Sequence, residues 1–296
     1  MPPSTALTQG ALVSAPDLVA KGRVARPIHS VIRVPRVGIL LASGWLVLLG
    51  AATLAAVLGA GSDPIANDYA AISLPPNAEH LFGTDNLGRD VLARSLHGAG
   101  ASATVAIVTV LMGGGIGILL GVWAGLARGP VDAVIGFFTD AAIALPGLII
   151  ISTVVTLTGP SLPTIALTIA GFSIPVFSRL SRATTLAVAT ENHVVVARTL
   201  GAGRWRIVTR EVLPVVLPRM TPFLMTTVAG SIVAEGALSF LGFGIRPPQP
   251  SWGSLIADGR AQLVDAPWVA LIPALLLCLT ILSVNVLGEH FREAKR

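Results

Sequence analysis

Six stretches of this chain run for about twenty residues almost without charge, and they decide what it can fold into. Val37 to Ala60 is 24 residues with no charged side chain, and the stretch 141–178 is uncharged throughout. A bilayer core offers no water to backbone amides, so a helix of about 20 apolar residues is the unit that satisfies itself there. We place such helices at about 37–60, 101–127, 134–158, 162–179, 220–243 and 267–288. Gly159, Pro160 and Pro163 mark the turn between the third and fourth. The composition agrees: 53% of residues are hydrophobic and 12% charged, against about 25% charged in a soluble domain. Disorder is excluded on the same ground, since it needs low hydrophobicity. The expected fold class is an all-α membrane protein with six transmembrane helices.

Residues 1–36 show no sustained helical period and read as a mobile cytoplasmic tail. The first apolar block follows five cations, Lys21, Arg23, Arg26, Arg33 and Arg36. It exceeds the roughly 7–15 residues of a signal-peptide core, so an uncleaved first transmembrane helix at 37–60 fits better. With the N-terminus inside, the segments 1–36, 128–133, 179–219 and 289–296 hold sixteen Lys and Arg residues, and the outer segments 61–100 and 244–266 hold four. Cytoplasmic loops carry the Lys/Arg excess. Both termini are therefore expected in the cytoplasm, and the net charge of +5 points to a membrane face rather than to nucleic acid.

Two acids fall within the expected spans, Asp140 and Glu235. Ionised groups at that depth face protein, water or a partner. Each is a candidate for substrate contact or gating, or for hydrogen-bonded packing. Gly113, Gly117, Gly121 and Gly125 recur every four residues and form one helix face, where another helix can approach closely. Such a stripe implies a dense bundle. The one cysteine, Cys278, lies in an apolar run and reads as a buried structural thiol.

Three soluble segments carry pattern. In 81–99, LFGTDNLGRDVLARSLHGA, either Thr84 or Asp85 can cap a helix start. Leu87, Val91, Leu92 and Leu96 would share one face, with Arg89, Asp90 and Arg94 more towards the other, as in an amphipathic helix at the outer interface. In 244–266, Pro247, Pro248 and Pro250 make a stiff start, and Ser254 to Val264 reads as a short outer helix. The inner segment 179–219 has seven arginines and two glutamates. A helix over 191–201 is interrupted at Gly201 and Gly203, and a second, Arg204 to Leu213, is expected to stop at Pro214. Trp205, Val208 and Val212 would line one apolar face beside Arg204, Arg206 and Arg210. A knob for a partner protein and a cationic loop held against anionic lipid both fit this pattern.

No G-x-x-x-x-G-K-[ST] loop occurs, because Lys21 precedes Gly22 and Lys295 precedes Arg296. No Cys/His metal cluster, H-E-x-x-H or G-x-S-x-G pattern occurs either. The expectation is a non-catalytic chain with no metal or cofactor of its own.

Three segments together resemble the permease subunits of bacterial ABC importers, specifically the second permease (C-type subunit) of the dipeptide/oligopeptide/nickel group. They are 81–99, then ARTLGAGRWRIVTREVLP (197–214), then AEGALSFLGFGIRPPQPSWGSLI (234–256). The second is similar to the importer "EAA" loop at Ala197, Gly201, Leu213 and Pro214, with Val195 and Val196 in the Glu and first Ala positions. The resemblance spans about residues 30–292. It implies the type I importer architecture: a five-helix core at 101–288, preceded by the first helix and the outer segment 61–100. It further implies that 179–219 couples to an ATPase through Ala197, Arg198, Gly201, Ala202, Trp205, Arg206, Leu213 and Pro214.

The implied partners are a homologous second permease, two ATPase subunits or one fused ATPase that bind ATP and Mg, an extracytoplasmic substrate-binding protein, and the lipid bilayer of the bacterial inner membrane. The implied cargo is a dipeptide or oligopeptide, with nickel or a nickel chelate as the alternative in the same architecture. An ion-coupled secondary transporter using Asp140 and Glu235 is the reading from a different class.

Overall fold

The computed structural model describes residues 36–293. The expected tail at 1–36, apart from Arg36, and the last three residues of the tail at 289–296 lie outside the described residues. Among the described residues the regular structure is helical, with one isolated antiparallel bridge between Thr84 and Asp90.

Helix α1 is Arg36–Val57, and α2 runs unbroken over Val91–Ala127. After it come α3 (Gly129–Ala144), α4 (Gly147–Thr158) and α5 (Leu162–Val188). Helix α6 (Asn192–Thr199) is short, and α7 occupies Arg204–Phe240. The outer helix α8 (Trp252–Gly259) and then α9 (Trp268–Glu293) complete the set. Among the described residues five helices are long and apolar enough to cross a membrane, and α3 with α4 makes a sixth if that bent pair is one span.

The structure departs from the expected boundaries at five places, the simplest being the outer helix expected over Ser254 to Val264, which is Trp252–Gly259 followed by a 3-10 turn at Arg260–Gln262. The span expected at 134–158 is broken by an 85° bend, because Pro146 drives Leu145 into extended backbone with φ −80° and ψ 135°. The amphipathic helix expected before helix two is instead the first turns of α2, capped by Asp90, whose carboxylate accepts from Ala93 N at 2.8 Å. Neither Thr84 nor Asp85 is the cap. Helix α5 continues past 179 to Val188, because Arg179 and Arg182 find carboxylates on α3 rather than ending the span. Pro214 does not stop a helix. A wider π-turn over Ile207–Val212 immediately precedes it, so the missing N–H and the proline ring are absorbed and α7 carries on. That turn also rotates the helix faces. Trp205 is left exposed while Val212 is buried, so of the apolar face expected for Trp205, Val208 and Val212 only Trp205 and the partly buried Val208 line one surface.

The centre of the bundle is the α2–α5 seam. A Cβ added at Gly113 would lie 2.7 Å from Ala170 O, and one at Gly117 would lie 2.6 Å from Ile174 O. At Gly121 it would meet Ser181 Oγ at 1.9 Å, and at Gly125 the Thr185 methyl at 2.9 Å. The four glycines therefore face the carbonyls of Ala170, Ile174, Ser178 and Arg182, every fourth residue of α5, and Ser181 Oγ donates to Gly117 O at 3.3 Å. Ile118, Val122, Phe177, Val188, Val194, Ile207, Val212 and Met220 form one buried cluster beneath this seam. Helix α1 lies outside it, held by Trp45 Nε1 donating to Thr280 Oγ1 at 3.2 Å. Its Leu40, Leu41, Val47 and Leu48 are exposed. Cys278 is exposed on α9 rather than buried. A long apolar helix of a membrane protein turns such side chains to lipid, so burial in protein does not follow from an apolar run.

Candidate coupling surface and transport wall

The loop between α5 and α7 is a built turn. Helix α6 ends in a paired closure: Gly201 N donates to Arg198 O and Ala202 N to Ala197 O, both at 3.0 Å. Gly201 sits at φ +80°, where a side chain is disfavoured. Val194 on α6 and Ile207 and Val212 on α7 are buried together, with Ala202 packed against them. Arg219 Nη1 donates to Glu191 Oε1 at 2.8 Å, tying the loop's base to α7. The opposite surface is open: Val195, Val196, Leu200 and Trp205 are all exposed, Leu200 at 82%. Arg198 and Arg206 lie among them, and Pro214 is exposed at the next turns of α7, where Leu213 is partly buried. Ala197, Arg198, Gly201, Ala202, Trp205 and Arg206 are thus brought to one projecting turn.

Asp140 and Glu235 are not brought together. Asp140 is exposed on α3 and faces Arg179 Nη1 of α5 at 3.7 Å. An exposed ion pair on a candidate span belongs against water or protein rather than acyl chains. Asp132, one end along, is bidentate with Arg182 on the same two helices. Glu235 is wholly buried. Its oxygens accept from Ser102 Oγ at 2.8 Å and Ser239 Oγ at 2.7 Å, and Ser251 Oγ donates to Ser239 Oγ at 3.1 Å. Ser251 caps α8, so one carboxylate links α2, α7 and α8.

The charges of segment 81–99 are buried, not displayed. Asp85 accepts from the backbone of Leu87 and Arg89 and from Arg89 Nε at 2.7 Å, with Arg94 Nε at 3.5 Å. Arg94 also reaches Pro64 O at 3.2 Å. Gly88, at φ +73°, leaves no room for a Cβ, which would fall 1.6 Å from Asp68 O. Asp90 pairs with His80 Nδ1 at 3.0 Å. Burial pushes the Asp258 carboxyl of α8 above the usual range, with the Arg94 and Arg89 guanidiniums opposing. Trp252 Nε1 donates to Ser95 O at 2.9 Å and Trp268 Nε1 to Thr84 O at 3.0 Å, so α8 and the start of α9 close over this segment. The amphipathic reading failed because a charge pattern cannot distinguish solvated arginines from ones that share a buried carboxylate.

A second feature escaped the sequence reading. A cleft of about 360 Å³ lies between α4, α5 and α7. Its walls are apolar, with the hydroxyls of Ser173, Thr226, Thr227 and Ser231 as their polar groups. Thr226 and Thr227 donate to Pro222 O and Phe223 O, at 3.0 and 2.9 Å, which leaves their lone pairs free to accept. Hydroxyls at 226, 227 and 231 around Gly230, in an apolar helix, are the signal that was available. Among the described residues no group of His, Cys, Asp and Glu is placed to hold a metal ion.

The family model for "Binding-protein-dependent transport system inner membrane component" matches residues 117–296. The glutathione transport system permease protein GsiD of Pectobacterium atrosepticum is 37% identical over 227 residues, covering 77% of this chain and 75% of that protein. GsiD of Escherichia coli O157:H7 is 36% identical over the same shares. The fold is similar to a solved chain of the MetNI methionine ABC transporter in inward facing conformations, with a TM-score of 0.51 and 18% identity over 70% of this chain and 97% of that one.

Proposed function

Since the chain belongs to the family of binding-protein-dependent transport system inner membrane components, and is thereby a permease subunit of an ABC importer, we propose that it forms with a second permease the path for short peptides across the bacterial inner membrane. The observation that carries the peptide reading is the similarity to permeases of glutathione, itself a small peptide, over three quarters of both chains. The cleft between α4, α5 and α7 supports it: hydroxyl acceptors on an uncharged wall suit peptide N–H groups without selecting one side-chain charge.

The projecting turn at 197–206 is the lever. Its exposed Val195, Val196, Leu200 and Trp205 offer an apolar knob to an ATPase subunit, and the buried Val194, Ile207 and Val212 carry its movement into α7. ATP and Mg are bound in those partner subunits. The Lys/Arg asymmetry puts this turn in the cytoplasm and the closed segments 61–90 and 241–267 outside, where a binding protein delivers cargo. ATP binding draws the two ATPases together, and the helices rock as bodies between outward and inward openings. Gly113, Gly117, Gly121 and Gly125 make α2 and α5 one such body. Glu235 serves packing rather than cargo contact, because it is wholly buried and held by Ser102 and Ser239.

Uptake of a radiolabelled tripeptide by cells with and without this gene tests the reading, with excess nickel as competitor and ATP depletion as control. Loss of ATP-dependent peptide uptake on deletion is expected. Unchanged peptide uptake, with nickel uptake lost, would move the cargo to the metal. Uptake that survives ATP depletion would sink the ATP-driven mechanism in favour of an ion-coupled one.

A further inference from the structure

We propose that the groove between the end of α2 and the start of α7 binds an anionic phospholipid, its acyl chain along α2 and its phosphate among Arg128, Arg198 and Arg204. The groove holds about 840 Å³. One wall is Leu119, Trp123 and Leu126 of α2, and the other is Trp205, Ile207 and Val208. Leu119 lies about 12 Å along the helix axis from Ala127, at 1.5 Å per residue. The groove therefore begins within the apolar length of a spanning helix and opens where that helix ends. Its two indoles, both well exposed, stand where amphipathic rings partition at a membrane interface.

The mouth is cationic. Arg128, Arg198 and Arg204 are exposed at the rim, and among the described residues none of them makes an ion pair. Arg128 is also one of two described non-glycine residues with positive φ, at +52°, in the one-residue joint between α2 and α3. Three guanidiniums at the open end of an apolar slot are complementary to a phosphate on a hydrocarbon tail. The chain's own N-terminal segment has the wrong sign: residues 1–35 hold four cations and a single acid, Asp17. Of the apolar knob, Val195, Val196 and Leu200 lie outside the groove lining and Trp205 stands at the border of both, so ATPase docking and lipid binding use adjoining faces of the same turn.

Brominated acyl chains quench nearby indoles and give the test. The assembled importer is placed in lipid nanodiscs of phosphatidylcholine, with equal mole fractions of brominated phosphatidylglycerol or brominated phosphatidylcholine. The anionic lipid is expected to quench more strongly, Trp123→Phe to reduce that excess, and Trp123→Phe combined with Trp205→Phe to remove it. Arg128→Gln combined with Arg204→Gln, checked for normal melting, is expected to weaken the anionic preference roughly fivefold for each arginine removed. Equal quenching by the two lipids overturns the proposal. So does an excess that is undiminished in Trp123→Phe or that persists when Trp205→Phe is added to it, or one that the permease pair shows alone but loses when the ATPase is added.

Discussion

Ser102 of α2 donates a 2.8 Å hydrogen bond to Glu235 of α7, joining residues 133 apart in a site from which solvent is excluded. The second oxygen of Glu235 takes Ser239 at 2.7 Å, one turn along the same helix. Because the carboxylate is an acceptor for two hydroxyls, Glu235→Gln keeps its shape and one acceptor and is expected to transport near the normal rate. Glu235→Ala removes both acceptors and leaves a void. It should lower stability by about 2 kcal/mol or more, read as earlier thermal unfolding of the purified complex. Loss of uptake in a normally stable Glu235→Gln would show that the charge itself takes part in transport.

The glycine seam gives a paired comparison on one helix. Gly121→Ala would put a methyl 1.9 Å from Ser181 Oγ and 2.3 Å from Ser178 O. Since part of that contact is backbone, the helices must separate, at the upper end of the roughly 1–3 kcal/mol typical of overpacking. Gly115→Ala meets nothing within 4 Å and should be neutral or slightly stabilising through helix propensity. Equal melting of the two variants in detergent would refute the close α2–α5 packing as a source of stability.

At Gly201 two substitutions separate strain from function. Gly201→Ala must hold a side chain at φ +80° and is expected to cost about 1–2 kcal/mol locally, slowing uptake without abolishing it. Gly201→Pro cannot reach that φ and also loses the N–H that bonds Arg198 O, so the turn cannot close. It should stop uptake while the protein still inserts in the membrane. Normal uptake by Gly201→Pro would discard the lever role of this turn.

Asp85 serves two arginines. Its carboxylate and both guanidiniums are less than a tenth exposed, so Asp85→Asn leaves buried Arg89 without its ion-pair partner and Arg94 with only the 3.9 Å contact to Asp258. A loss of about 3–5 kcal/mol is expected, seen as protease sensitivity of the segment 61–90 in membranes. Asp140→Asn breaks a 3.7 Å pair whose partners are about two thirds exposed, and should change stability by under about 1 kcal/mol. Equal sensitivity of the two variants would contradict the burial argument.

Local pattern made much of this chain legible. Charge-free blocks of helical length set the all-α membrane class, and the spacing of Gly113, Gly117, Gly121 and Gly125 marked a close-packing face without saying which helix would fill it. Gly201 read as a turn because its neighbours supply helix on both sides. Less was legible where a proline stood near a boundary. Pro146 breaks its helix, whereas Pro214 follows a π-turn in a helix that carries on, and Pro175, Pro218, Pro222 and Pro273 are held inside helices.

What the sequence by itself determined is therefore the class of solvent, the all-helical architecture and the turn at 201, because each depends on residues adjacent in the chain. Only the tertiary structure decided that Arg89 and Arg94 are buried on Asp85, that Arg179 faces Asp140, and that Glu235 is satisfied by Ser102. It alone gathered Thr226, Thr227 and Ser173 into one wall, and Arg128 with Arg204 at one groove. The physical reason is common to all of these. The energy of a charge or hydroxyl in a membrane protein is set by its partner, and these partners sit on other turns or other helices.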